Sequence, residues 1–239
     1  MKLQKTIEKL KAGRQVSIVA LGDSNTEVTF HTHGHMNWVG LLSEAIFNKY
    51  GNGKCTMINS GKCASSYGEA LKRLDDDVLR FSPDLVILAF GMNDAGNGKM
   101  YLDIFRNQVK ECISRIRSSC GSEILIRTPN PIVTVNGLPI LKEQPIPGKP
   151  LETVKRPLKL YSEALVRIGK ELDCAVVDHY TLWTTAKFPE TLPVANPNVL
   201  WMRMSDAVHP GKLGHLVFYR ELAPYFELPE YFPWEDVRI

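Results

Sequence analysis

The chain has 239 residues, 44% of them apolar and 23% charged, and 29 Lys+Arg against 26 Asp+Glu leave a net charge of +3. This is the composition of a globular protein that can bury its own core as one domain over 1–239, and it excludes a disordered chain or a basic tail built for nucleic acid. No apolar run approaches the roughly 18 residues of a membrane-spanning helix, so no integral membrane segment is expected.

Leu3 to Lys11 fits a short helix, and Val16-Ser-Ile-Val-Ala-Leu21, ending at Gly22, fits a first strand. Trp38, Val39, Leu41, Leu42, Ala45 and Ile46 recur at helical spacing, with Gly51 as a stop. Cys55 to Asn59 predicts a second strand, and Ala70, Leu71, Leu74 and Val78 share one face of a further helix. After Ser82-Pro-Asp84, the uninterrupted apolar run Leu85–Phe90 is that of a central strand covered on both faces. A helix from about Tyr101 to Ser118, a strand Ile124 to Arg127, a helix Tyr161 to Leu172 and a short strand Ala175 to Val177 follow. Irregular segments then lead to a last helix near Leu213 to Leu222. Alternation at this spacing predicts right-handed βαβ crossovers, hence a three-layer α/β/α sandwich around a mostly parallel five-stranded sheet. Two proline-containing excursions, 129–153 and 188–200, exceed ordinary loop lengths and are expected to shape a site.

Reactive groups in such a sheet belong at the carboxyl ends of the strands. Gly22-Asp23-Ser24-Asn25 follows the first strand and can present the Ser24 hydroxyl and N–H to one space. Asn59-Ser60-Gly61 follows the second, where glycine lets a backbone N–H approach a ligand. Gly91-Met-Asn93-Asp94 follows the central strand and offers the uncharged donor of Asn93. Much later, Asp206-Ala-Val-His209 spaces a carboxylate to hold Nδ1–H of the imidazole and leave Nε2 as a base, which a serine hydroxyl needs at neutral pH. Asp23 and Asp94 read as turn-forming residues that brace their loops.

In order and position, Gly22-Asp-Ser24, Gly61, Gly91-x-Asn93-Asp94 and Asp206-x-x-His209 resemble the four blocks of the SGNH hydrolases, the GDSL-like esterases. The resemblance covers most of the chain and implies a flavodoxin-like sheet. It implies Ser24 as nucleophile, His209 as general base and acid, Asp206 as its orienting carboxylate, and an oxyanion hole from the N–H groups of Ser24 and Gly61 and the side chain of Asn93. The chemistry implied is acyl transfer through an acyl-serine, without metal or cofactor. Asn25 stands where the family name has leucine.

His31-Thr-His33-Gly-His35 has the alternation of a metal site but holds no carboxylate or cysteine, and reads as a loop at the pocket mouth whose His33 and His35 can touch substrate. His179 and His215 read as structural. Trp201 and Arg203, with Trp183, form either a platform for a sugar or acidic group, or cover for a helix layer. Five cysteines without a C-x-x-C pair argue against disulfides and suit a reducing cytoplasm, and Met1–Arg14 lacks the pattern of a secretory signal. The absence of G-x-S-x-G, P-loop, dinucleotide and zincin motifs removes those enzyme classes.

The expected activity is hydrolysis of a small acyl ester, most of all O-acetyl on a carbohydrate or related metabolite. The alternatives are a lysophospholipase or thioesterase-type acyl hydrolase, or a non-catalytic carbohydrate-binding domain of the same fold. The expected partner is that small ester, with no nucleic acid; nothing in the sequence fixes an oligomeric state.

Overall fold

The computed structural model describes residues 3–27, 30–133, 156–185 and 203–230. Five strands, β1 (Val16–Gly22), β2 (Cys55–Gly61), β3 (Leu85–Ala89), β4 (Glu123–Arg127) and β5 (Ala175–Val177), form one sheet in the order β2-β1-β3-β4-β5. Every pairing is parallel. The order reverses between β1 and β3, so the loops leaving these two strands part to opposite sides and open a crevice at their carboxyl ends.

Helices cover both faces because each strand points alternate side chains to opposite sides. Ile18, Ala20, Leu85 and Ile87 pack toward α1 (Gln4–Lys11), α2 (Trp38–Tyr50) and α8 (Lys212–Leu222). Val19, Leu21, Val86 and Leu88 pack toward α3 (Tyr67–Lys72), α5 (Leu102–Cys120) and α6 (Leu158–Glu171). All of β3 is buried, as its unbroken apolar run requires. Among the described residues, no helix is long and apolar enough to cross a membrane, and all five cysteines are free thiols.

Two expectations about helices are corrected. The segment from Ala70 to Val78 is not one helix: α3 ends at Lys72, a short α4 (Leu74–Asp77) follows, and a 3-10 turn (Leu79–Phe81) completes it. The break falls at Arg73 (φ −111°, ψ 10°). Its guanidinium reaches the carbonyls of Gly22 (3.2 Å) and Ser60 (3.0 Å) and pairs with Asp77, so strand-end contacts override helical continuity. The segment after β5 is not irregular either, because α7 (His179–Thr185) begins directly behind Asp178, whose Oδ1 accepts the N–H of Thr181 at 3.2 Å. The excursions fall largely outside the described residues, at 134–153 and 188–200.

The first turn of α1 has no cap from its own sequence, since Leu3 precedes it. Glu123, at the start of β4, accepts the N–H groups of Lys5 (3.0 Å) and Thr6 (2.8 Å), putting a carboxylate on the positive end of the helix. Glu123→Ala is expected to cost about 1 kcal/mol of unfolding free energy, the ordinary worth of a lost helix cap, measured as a lower urea midpoint with unchanged slope.

Candidate active site

Beyond Gly22 the chain folds into a tight turn. Asp23 Oδ1 accepts the N–H of Asn25 (2.9 Å), and the Asp23 carbonyl accepts those of Thr26 and Glu27 (3.0 Å each). Trp38 Nε1 donates to the Asn25 carbonyl (3.1 Å), and Asn37, which caps α2 through Val39 and Gly40, donates to the Thr26 carbonyl (2.7 Å). Ser24 is thus held half-buried at the mouth of the crevice, and its own N–H has no partner among the described residues.

Asp206 and His209 arrive on a loop closed by the Met204–Pro210 bridge and by the Gly211 N–H on the Arg203 carbonyl (2.9 Å). Asp206 Oδ1 accepts the N–H groups of Val208 and His209 at 2.7 Å each, an aspartate turn that leaves Oδ2 for His209 Nδ1 at 2.8 Å. His209 Nε2 lies 3.0 Å from Ser24 Oγ. With Nδ1–H committed to a carboxylate, Nε2 is the acceptor for the serine hydroxyl. Burial alone would raise the Asp206 pKa. Hydrogen bonds from the His209 ring and from the His209 and Val208 N–H groups outweigh it and hold the carboxyl at about 2, so it stays ionised at neutral pH.

Asn93 reaches the same end of the sheet through Gly91, whose φ of +116° suits only glycine. Asp94 braces the turn by accepting the N–H groups of Gly91 (3.2 Å) and Tyr67 (3.0 Å). Asn93 Nδ2 donates to the Ser65 carbonyl (3.0 Å), which fixes the carboxamide and leaves it a second N–H. Gly61 differs from expectation: its N–H is donated to Asn59 Oδ1 at 2.9 Å. A Cβ there would lie 2.2 Å from the Glu27 nitrogen, so this glycine serves the close packing of β2 on the Ser24 loop. Ala64, on the loop that holds Asn93, has φ +59° and an N–H without a partner among the described residues.

Of the three loop histidines, His33 and His35 are exposed, whereas His31 enters the site. Its ring stacks on that of His209, centroids 3.8 Å apart and planes 9° apart, and its Nδ1 lies 3.6 Å from Asp206 Oδ2. His31, Asp206 and His209 bring ligand atoms within 4.8 Å of one another. Parallel stacked imidazoles aim their in-plane lone pairs side by side, however, so they cannot converge on one ion at Zn–N distances of about 2.0–2.1 Å unless the stack breaks. The expected substrate contact at Arg203 is corrected: this residue is buried, its guanidinium 5.0 Å from the ring of buried Trp183. Trp201 lies outside the described residues.

With this geometry in view, the pattern that matches the chain, over residues 20–217, is that of the GDSL-like lipase/acylhydrolase family. The chain belongs to that family. It is similar to an acetylxylan esterase of Geobacillus stearothermophilus, 24% identical over 188 residues that make up 78% of each chain. A solved structure of an acetylxylan esterase from that organism superposes with a TM-score of 0.67 at 18% identity, covering 90% of this chain and 95% of that one. An α/β hydrolase from the metagenome of Lake Arreo, Spain, gives 0.61 at 18% identity, covering 89% and 95%. As a family member, the protein is a carboxylic ester hydrolase.

Beneath the serine turn this acylhydrolase buries a charged network. Arg127, the last residue of β4, lies between the rings of Trp38 (4.3 Å) and Phe218 (4.1 Å) and donates from Nε to His179 Nε2 (2.9 Å), while His179 Nδ1 bonds to Glu221. Burial, opposed by the nearby charges of Asp23 and Glu221, lowers the Arg127 pKa to about 9. Burial likewise raises Asp23 to about 6, against the Asn25 N–H and the charges of Arg127 and His209. A carboxyl raised in the folded state adds stability below its unfolded pKa of about 3.9, and loses it as pH rises through about 6. Asp23→Asn is expected to remove a pH-dependent component on the order of 3 kcal/mol from unfolding free energies measured between pH 4 and 7, flattening the fall seen in the parent.

Proposed function

We propose that the protein is a serine esterase that removes small acyl groups, acetyl foremost, from hydroxyls of a carbohydrate or related metabolite. The observation that carries this is the unbroken relay from Ser24 Oγ through His209 to Asp206, joining residues 185 positions apart in the chain. The Ser24 oxygen attacks the ester carbonyl while His209 Nε2 takes its proton. The oxyanion that forms is received by the N–H groups of Ser24 and Ala64 and by Asn93 Nδ2, Ala64 replacing Gly61 because the Gly61 N–H is engaged. His209 then protonates the departing alkoxide and leaves an acyl-serine. Water, deprotonated by the same nitrogen, releases the acid and restores Ser24.

The acetyl and carbohydrate parts of this reading are supported by the acetylxylan esterase relative. Solved structures of that enzyme include catalytic mutants in which a serine, an aspartate or a histidine is replaced by alanine. Five free thiols suit a cytoplasmic setting.

A fluorophosphonate probe is expected to label the wild type and not Ser24→Ala, and hydrolysis of p-nitrophenyl acetate to exceed that of the octanoate. Failure to label the wild type would overturn the esterase, and preference for the long chain would overturn the acetyl assignment. Asn93→Ala is expected to lower kcat on the order of 100-fold or more, and near-wild-type turnover would remove that side chain from the oxyanion hole.

A further inference from the structure

The relay contains a carboxylate oxygen facing two imidazoles: Asp206 Oδ2 is bonded to His209 Nδ1 at 2.8 Å and lies 3.6 Å from His31 Nδ1. The two rings are nearly parallel, face on face. An imidazole held by one hydrogen bond still turns about that bond, and a few tenths of an ångström at Nε2 decide whether it meets the serine proton. A flat ring against its face removes this freedom. We propose that His31 is a positioning residue for the reaction, a neutral imidazole that fixes the His209 ring in its working plane and favours the imidazolium that His209 becomes. The proposal rests on the assignment of Ser24, His209 and Asp206 given above.

The charges around His31 agree with a neutral ring. Burial first, then the neighbouring charge of His209, and more weakly that of His33, hold its pKa below the ordinary value, while Asp206 opposes them. From α8, His215 faces the same group and is itself lowered to about 3, by burial first and then by Arg127, His31 and His209. The Asp206 carboxylate thus serves His209 first. In the acylation step the Ser24 proton moves to His209 Nε2 and goes on to the leaving alkoxide; His31 takes none. An uncharged π face over an imidazolium is attractive, whereas a second cation at that spacing repels.

The test uses the full chain and p-nitrophenyl acetate, with Ser24→Ala run alongside. His31→Ala is expected to lower kcat roughly 3- to 10-fold, with KM changed by less than about twofold. His31→Phe, which keeps a ring face but cannot titrate, is expected to recover most of kcat. An unchanged kcat in His31→Ala, a change confined to KM, or a phenylalanine variant no better than the alanine one would overturn the proposal. Undiminished turnover in Ser24→Ala would instead overturn the site assignment on which it rests.

Discussion

A buried carboxamide closes the site. Asn130, just past β4, accepts from Asn25 Nδ2 at Oδ1 (3.0 Å) and donates from Nδ2 to the carbonyls of Pro131 and Val208 (3.1 Å each). Three residues on, the Val133 N–H donates to the Ala207 carbonyl (3.0 Å). These bonds tie the turn that carries Ser24 to the loop that carries His209, two segments that share no strand pairing and meet only through tertiary contacts. A surface carboxamide in water would lose much of this constraint to solvent competition. Asn130 is fully buried, where satisfied polar bonds are strong and orphaned ones costly, so the relative position of hydroxyl and imidazole is held firmly.

The same end of the sheet carries a second layer of polar order beneath the first. Arg127 is a buried cation whose Nε finds an acceptor while its Nη1 has none among the described residues, so opposing charge and aromatic faces carry the rest of the compensation. His179 accepts from it, Asp23 and Glu221 supply the opposing charge, and the faces of Trp38 and Phe218 cover the guanidinium. Trp38 also donates to the carbonyl beside Ser24, so the aromatic ring that covers the cation is also a brace of the serine turn. Stability and site geometry therefore share residues. A change that loosens the network displaces the turn above it as well as weakening the fold.

The sheet was legible from sequence because its signals are local: each strand is a short β-rich run between turn residues, and β3 carries no polar interruption. The order Ser24, Asn93, Asp206, His209 was legible because those residues follow strand ends or sit three apart in a turn. What escaped depends on partners distant in the chain. The helix break at Arg73 is set by carbonyls of β1 and β2, and α7 begins in a run of threonines and aromatic residues with little helical preference. The sequence marks His33 and His35, and not His31, for substrate contact, on an alternation that implies an extended segment. The chain instead turns, with His33 at φ +51°, and only His31 meets a loop from the far end of the sequence. Gly61 drew the oxyanion reading because glycine marks close backbone approach; that approach exists, but toward the Ser24 loop and not toward a ligand.

In the proposed reaction, the donors assigned to the oxyanion decide what kind of charge the site can stabilise. The N–H groups of Ser24 and Ala64 and the carboxamide of Asn93 are dipoles without net charge, fixed by the turn after β1, by the Ala64 backbone and by the bond to Ser65. Such dipoles attract a neutral ester weakly and a developing oxyanion strongly, and because they are already oriented they need no rearrangement as the charge appears. A cation in the same place would hold anions in the ground state and compete for the carboxylate product. The fold instead keeps Arg127 behind two aromatic faces, near the charge of Asp23, and the proposed reaction leaves the oxyanion to neutral donors.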